Sequence, residues 1–325
     1  MRERVISSTS AEMMISPGAS RGAGARQGEA MNKGAARKRR SHKEALIETT
    51  LALSAGLFII VIAVITIFIF SKGLPIFLQV GWQDFIFNTD WRPGRGIYGI
   101  GAMALGSIAV TLSAMVWSVP LGIATAVFMT GIAPRPIGRT LGSLVELLAG
   151  IPSVVYGFVG LLVVVPFIRQ HLGGNGLSVL AGAIVLGVMI LPTLINISRD
   201  AIQAVPGEYI EGSLALGASH HQTMARVIIP AARSGIITAI VLGMGRAIGE
   251  TMAVAMVTGN AAIVPTSILA PVRTMTSNIV LEMGYASGEH QGALFSTGMV
   301  LFVFIVALNL VVNRVAKAGG GNGKQ

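Results

Sequence analysis

Residues 199–234 read RDAIQAVPGEYIEGSLALGASHHQTMARVIIPAARS, a polar interlude between two long apolar stretches. Pro206 suits a first helical turn, where the N–H it lacks has no partner anyway. Glu208 and Glu211 lie close behind it, near the positive end of the helix dipole. Ile210 and Leu214, four apart, form an apolar stripe. Gly217 is able to adopt the left-handed conformation that stops a helix. Ser219 and Gln222 then match the S-x-x-Q capping box of a second helix, which Pro230 closes. The segment spells helix–turn–helix. By periodicity alone such a pair could simply lie on a membrane surface.

Working outward, the surroundings are apolar. Of 325 residues, 53% are hydrophobic and 12% charged, too few charges to cover a soluble domain of this length. Several runs approach the roughly 20 residues needed to cross a bilayer. They are continuous rather than alternating, which argues against an outer-membrane barrel. The fold class is therefore an all-α polytopic membrane protein. Six spans are expected, near 46–70, 97–133, 141–168, 177–198, 235–258 and 292–313. The second is long for one crossing, and Pro120 is expected to kink it into a bent extension. Reading 120–133 as a separate crossing would give seven. Pro152 and Pro192 are further kink positions, and Glu146 falls at an interface near the start of the third span.

Charge orders these spans. Ten of the 24 Lys/Arg residues precede residue 45, so the net charge of +10 reflects membrane orientation rather than a nucleic-acid surface. With the N-terminus inside, the cytoplasmic pieces 1–45, 134–140, 199–234 and 314–325 carry 18 Lys/Arg. The external pieces 72–96, 169–176 and 259–290 carry 5. Both termini are thus expected in the cytoplasm. Trp82 and Trp91 suit an interfacial belt.

Residues 1–43, rich in Gly, Ala, Ser and Arg, read as a disordered basic arm with no signal peptide. Met31, ahead of NKGAARKRRSHKE, could serve as a start and make residues 1–30 dispensable. The expected organisation is this arm, a first helix with its external loop over 44–96, a core of five helices over 97–315, and a flexible tail over 316–325. The chain has no cysteine, which excludes disulfides and thiolate chemistry.

The interlude says more through the order of its residues. Glu211, GSLAL, Gly217, nine residues, then Val227-Ile-Ile229-Pro230 resembles the EAA motif of ABC importer permeases. Gly212 and Ser213 replace the two alanines, and Val227 and Ile229 stand for Ile and Leu. The flanks ELLAGIPSVVYGFVGLLVVVP (146–166) and GRAIGETMAVAMVTGNA (245–261) resemble the phosphate-specific importer permease of the PstC type, over roughly residues 46–315. That resemblance implies a type I ABC importer permease fold. It also implies that the loop is a coupling helix docking into an ATPase, with Glu208, Glu211, Leu214, Ala215, Gly217 and Pro230 at the contact. The implied partners are a second permease of the PstA type, a PstB-type ATP-binding dimer and a PstS-type periplasmic phosphate-binding protein. Surrounding lipid completes the set, and no nucleic acid or cofactor is expected.

The chain carries no phosphate-cradling G-x-x-x-x-G-K-[ST]; the terminal GGGNGKQ has the wrong spacing and no strand before it. No spacing of His, Asp, Ser or Glu makes a catalytic constellation, so the chain reads as a transporter subunit driven by a separate ATPase.

Within the fifth run, LGMGRAIGETMAVAMV (242–257), Arg246 and Glu250 are four apart and are expected on one helical face. A central Arg costs roughly 2.5–3.5 kcal/mol on insertion scales, a penalty usually kept where the group faces a bundle interior or a wet path. Arg246 is the candidate cation for an oxyanion, its planar fork matching phosphate. Glu250 would hold that cation at rest. A self-neutralising pair, or an Arg snorkelling to the interface, stays open as the plainer alternative. Thr251 joins the candidate path, and Thr258 and Asn260 its outer mouth, although such groups often only hydrogen-bond across helices. His220 and His221 diverge and make a poor metal pair. Another oxyanion as cargo, or an ion-coupled secondary transporter, remain rivals; the latter lacks a visible internal repeat.

Overall fold

A computed structural model describes residues 42–320. Residues 1–41 of the expected arm, the Met31 start and the last five residues lie outside them, while His42 and Lys43 already belong to the first helix. Two compact units divide within the first helix, one ending at Ile65 and one beginning at Thr66.

α1 (His42–Val80) carries no charge between Glu48 and Lys72, and its side chains from Leu46 to Ile65 are almost all exposed. Beyond Thr66 it packs on the last helix: Phe68 meets Phe295 edge-on at 5.5 Å, and Ser296 donates to the Gly73 carbonyl at 2.6 Å. α2 (Trp82–Phe87) and a two-stranded antiparallel hairpin follow, with Trp91 (β1, Trp91–Arg92) opposite Tyr98 (β2, Ile97–Tyr98). Together with buried Phe85, Ile100, Met103 and Leu294, the hairpin forms an apolar cap. Trp82 is exposed, whereas Trp91 is buried in that cap and so does not serve the expected belt.

α3 (Gly101–Val127) runs through Pro120 without a break and ends in a π-helical stretch, Phe128–Ile132. It is one crossing with an extension, since its 32 residues exceed a bilayer's thickness. α4 (Arg135–Gly150) is a separate helix. Ile151 is extended and Pro152 begins the next turn, so the expected third span is split; the crossing is Ser153–His171, comprising α5 (Ser153–Val159), a π stretch and α6 (Val165–His171). Glu146 belongs to α4, ahead of the crossing.

α7 (Val179–Gln203) is the central helix, more buried than any other crossing and packed on α3, α4 and the helix after the loop. Pro192 sits within it, buried, without breaking it. Lipid is as apolar as leucine, so helices associate here by close packing. Gly187 shows how: Trp117 lies against it where a Cβ would stand, and the indole donates to the Ala183 carbonyl at 3.3 Å.

α8 (Gly207–Ala215), α9 (His220–Thr223), a π stretch and α10 (Ile229–Ala231) form the interlude. α11 (Arg233–Gly249) leaves it at 67°. Among the described residues, five helices are long and apolar enough to cross a membrane, and a sixth crossing is reached only with the bent segment. The 17 residues of α11 span about 26 Å, slightly short of the hydrocarbon core. After a break, α12 (Met252–Val257) continues the path. α13 (Met275–Met283) and α14 (Gly288–Gly320) close the chain. α14 thus reaches five residues into the segment expected to be a flexible tail.

Candidate functional site

The interlude folds as its residues dictate. Gly217 has φ +81, ending α8. Ser219 and Gln222 form a complete capping box, side chain to backbone in both directions. Pro206 caps α8 with Glu208 in its first turn. The second helix, begun at α9, runs on through Pro230 to Ala231 before the bend, so Pro230 does not close it as expected. Ile210 packs into a cluster with Ala126, Ile202, Met224 and Ile228, and the Ser213 and Thr223 hydroxyls share a hydrogen bond of 2.9 Å. His220 Nε2 donates to the Gly131 carbonyl at 2.7 Å, tying the loop to the end of α3. The outward face is bare: Glu208, Glu211, Leu214, Ala215, Gly217 and Pro230 are all exposed, and Leu216 is 90% exposed.

The expected face shared by Arg246 and Glu250 does not form. α11 ends at Gly249, and Glu250 is extended (φ −67, ψ 136). Glycines at 243, 245 and 249 lower the cost of stopping there. The break is then satisfied locally. Glu250 Oε1 accepts from the Ala253 N–H at 3.1 Å, placing its charge at the start of α12, and Thr276 Oγ1 donates to the Glu250 carbonyl at 2.8 Å. Arg246 lies in the last turn of α11, where the dipole favours a cation. It is exposed and donates through Nη1 to Thr193 Oγ1 of α7 at 3.1 Å. Among the described residues it makes no ion pair with Glu250.

The remaining candidates separate. The Thr251 hydroxyl donates to the Gly249 carbonyl at 3.2 Å, within the break. Thr258 is fully buried and donates to Val254 of its own helix, so it packs rather than lines a mouth. Asn260 takes φ +52, donates to the Ala255 carbonyl at 2.7 Å and accepts from Arg273 Nε at 2.9 Å through its carbonyl. It shapes the turn after α12. No three His, Asp or Glu side chains converge as metal ligands among the described residues.

Sequence reasoning missed an outer network. Arg273 Nη1 meets Glu282 Oε1 at 2.6 Å, while Trp91 Nε1 and His290 Nε2 both donate to Glu282 Oε2 at 2.8 Å. Its members come from β1, the loop before α13, α13 and α14, so no periodicity joins them. The signal available in the sequence was Arg273 and Glu282, two of the three charged residues of 259–290. Nearby, burial and then the Glu289 carboxylate raise the Tyr98 phenol above its ordinary range, keeping it neutral.

An exposed loop, a helix that breaks just past Arg246, and crossings packed around α7 make up the candidate site. Residues 118–318 match the family described as the binding-protein-dependent transport system inner membrane component. The chain belongs to that family. This permease is 47% identical to the probable ABC transporter permease protein YqgH of Bacillus subtilis, over 77% of this chain and 84% of the relative. It is 34% identical to the phosphate transport system permease protein PstC of Mesorhizobium japonicum, over 83% and 89%. Its fold matches a chain from a bacterial ABC transporter involved in the import of alginate, with a TM-score of 0.56 at 13% identity, covering 86% and 99%. The permease is a transporter subunit rather than an enzyme.

Proposed function

We infer that this permease is the PstC-type half of an ATP-driven importer of inorganic phosphate. The observation that carries the reading is Arg246: an exposed guanidinium at a helix break, held by a neutral hydroxyl and no carboxylate, in a chain with relatives named for phosphate transport. A fork held that loosely keeps donors for an oxyanion and lets the oxyanion leave. Glu250 and Thr251 hold the break open, so Arg246 stays at the end of a helix instead of within one. Thr258 and Asn260 act as supports for the outer turn.

The exposed face of 207–230 is the ATPase contact, through Glu208, Glu211, Leu214, Ala215, Gly217 and Pro230. The partners are a second permease, a pair of ATP-binding subunits and a periplasmic phosphate-binding protein. Both termini face the cytoplasm of a bacterial inner membrane, with 44–96 as the leading helix and external loop and 97–315 as the core.

The test is uptake of radiolabelled phosphate in cells lacking other phosphate importers and supplied with this permease and its partners. Uptake should stop on ATP depletion, survive collapse of the proton gradient and ignore excess sulfate or molybdate. Arg246→Gln should lower uptake by about 100-fold or more, with a complex that still co-purifies. Wild-type uptake by that variant rejects the role of Arg246, and loss of uptake on uncoupling rejects the ATP-driven class.

A further inference from the structure

α4 is a surface helix whose two exposed sides differ in chemistry. Ile137, Leu144 and Leu147 are exposed along one side. On the opposite side, Arg135, Arg139, Gly142, Ser143 and Glu146 recur at the three- and four-residue spacing of a single helical face. These residues line a cavity of about 670 Å³, shared with Arg199 near the end of α7. That volume falls within the roughly 300–1,000 Å³ of small-molecule sites. Three guanidinium groups face one carboxylate there, leaving two positive charges in excess. None of the four has an ion-pair or hydrogen-bond partner among the described residues. Gly142 is buried in the lining; a Cβ there would meet Arg199 Nη1 at 3.5 Å, an ordinary contact, so only a larger side chain would fill the space.

Charges that only set membrane orientation need no common target. These three line one open pocket on the polar side of a helix whose other side is apolar, with Arg135 and Arg139 exposed and Arg199 half-buried. The Ser143 hydroxyl adds a donor that no protein group uses. Guanidinium forks and a hydroxyl suit a tetrahedral oxyanion. Arg199 lies six residues past Thr193 on α7, about 9 Å along the axis and a third of a turn round from the Arg246 contact.

We propose that this cavity binds a phosphate group, held by Arg135, Arg139 and Arg199. The site is separate from Arg246 and does not require phosphate to be the cargo; its cytoplasmic placement rests on the orientation proposed above. Free inorganic phosphate and a lipid headgroup share this chemistry, so the experiment has two arms. Both use the full chain in nanodiscs and an Arg246→Gln background, which removes the transport cation from the measurement.

The first arm titrates inorganic phosphate against protein in zwitterionic lipid. The second omits phosphate and counts retained anionic phospholipid by native mass spectrometry in a mixed bilayer. Arg199→Gln and the double variant Arg135→Gln, Arg139→Gln should weaken binding about tenfold or more in whichever arm shows it. Gly142→Leu, which fills the hollow and leaves every charge in place, should do the same, and decides alone where the glutamine variants fail to fold. Binding in the first arm identifies free phosphate, and in the second a headgroup. Binding in neither arm, or binding indifferent to Gly142→Leu, overturns the site.

Discussion

At the scale of single residues, Arg246 and Glu250 show how charge survives in an apolar run. Each answers a helix end, the cation at the close of α11 and the carboxylate at the opening of α12, so neither needs the other. Two substitutions separate these roles. Glu250→Gln keeps an oxygen for the Ala253 N–H and should preserve most uptake, whereas Glu250→Leu removes the acceptor, costs about 1 kcal/mol at the break and should lower uptake several-fold. Equal uptake by the two variants would show that the cap is irrelevant. Thr193→Val deletes the acceptor holding the Arg246 fork, and Thr193→Ser restores it. Uptake should fall for valine and recover for serine; the measurement is initial phosphate uptake at matched membrane abundance. The sequence singled out both charges but placed them on one face, because an i, i+4 spacing looks helical whether or not the helix survives. What ends it is the partner for the freed carbonyl, Thr276, 26 residues away.

At the scale of elements, the coupling loop was the most legible part of the chain. Its turn glycine, its capping box and its helix starts are local chemistry, written within four residues of where they act. Ser219→Ala should therefore cost about 1 kcal/mol, seen as faster amide exchange over 220–231 and weaker transport-coupled ATP hydrolysis in the assembled complex. Unchanged exchange would mean that tertiary packing, through Ile228 and Met224, holds the helix without its cap. The outer network behaves oppositely. Trp91, Arg273, Glu282 and His290 stand on four separate segments, and pairing them requires the fold first. Glu282 is nearly buried and accepts from three side chains, so Glu282→Ala strands Arg273 and should cost about 3–5 kcal/mol. The expected readout is exchange rising over 258–290 while α7 stays protected; protection retained over 258–290 would assign the cap's order to its apolar residues instead.

At the scale of the whole molecule, the proposed orientation rests on where the Lys/Arg residues collect. Arg135, Arg139 and Arg199 lie at one end of the crossings along with the coupling loop, and Arg169 and Arg273 lie at the other. The second group is satisfied internally, Arg169 by the Asn175 carbonyl and Arg273 by Glu282 and Asn278. The expected orientation, with the first group cytoplasmic, follows the plain count of Lys/Arg on the two sides. The absence of cysteine makes this directly testable with single substitutions. Leu216→Cys sits on the bare tip of the coupling loop and Asn175→Cys on the short turn between α6 and α7, both exposed. An impermeant maleimide added to intact spheroplasts should label Cys at 175 and spare 216, and inverted vesicles should reverse the pattern. The reversed result in spheroplasts would put the docking face outside the cell, where no ATP-hydrolysing partner could reach it.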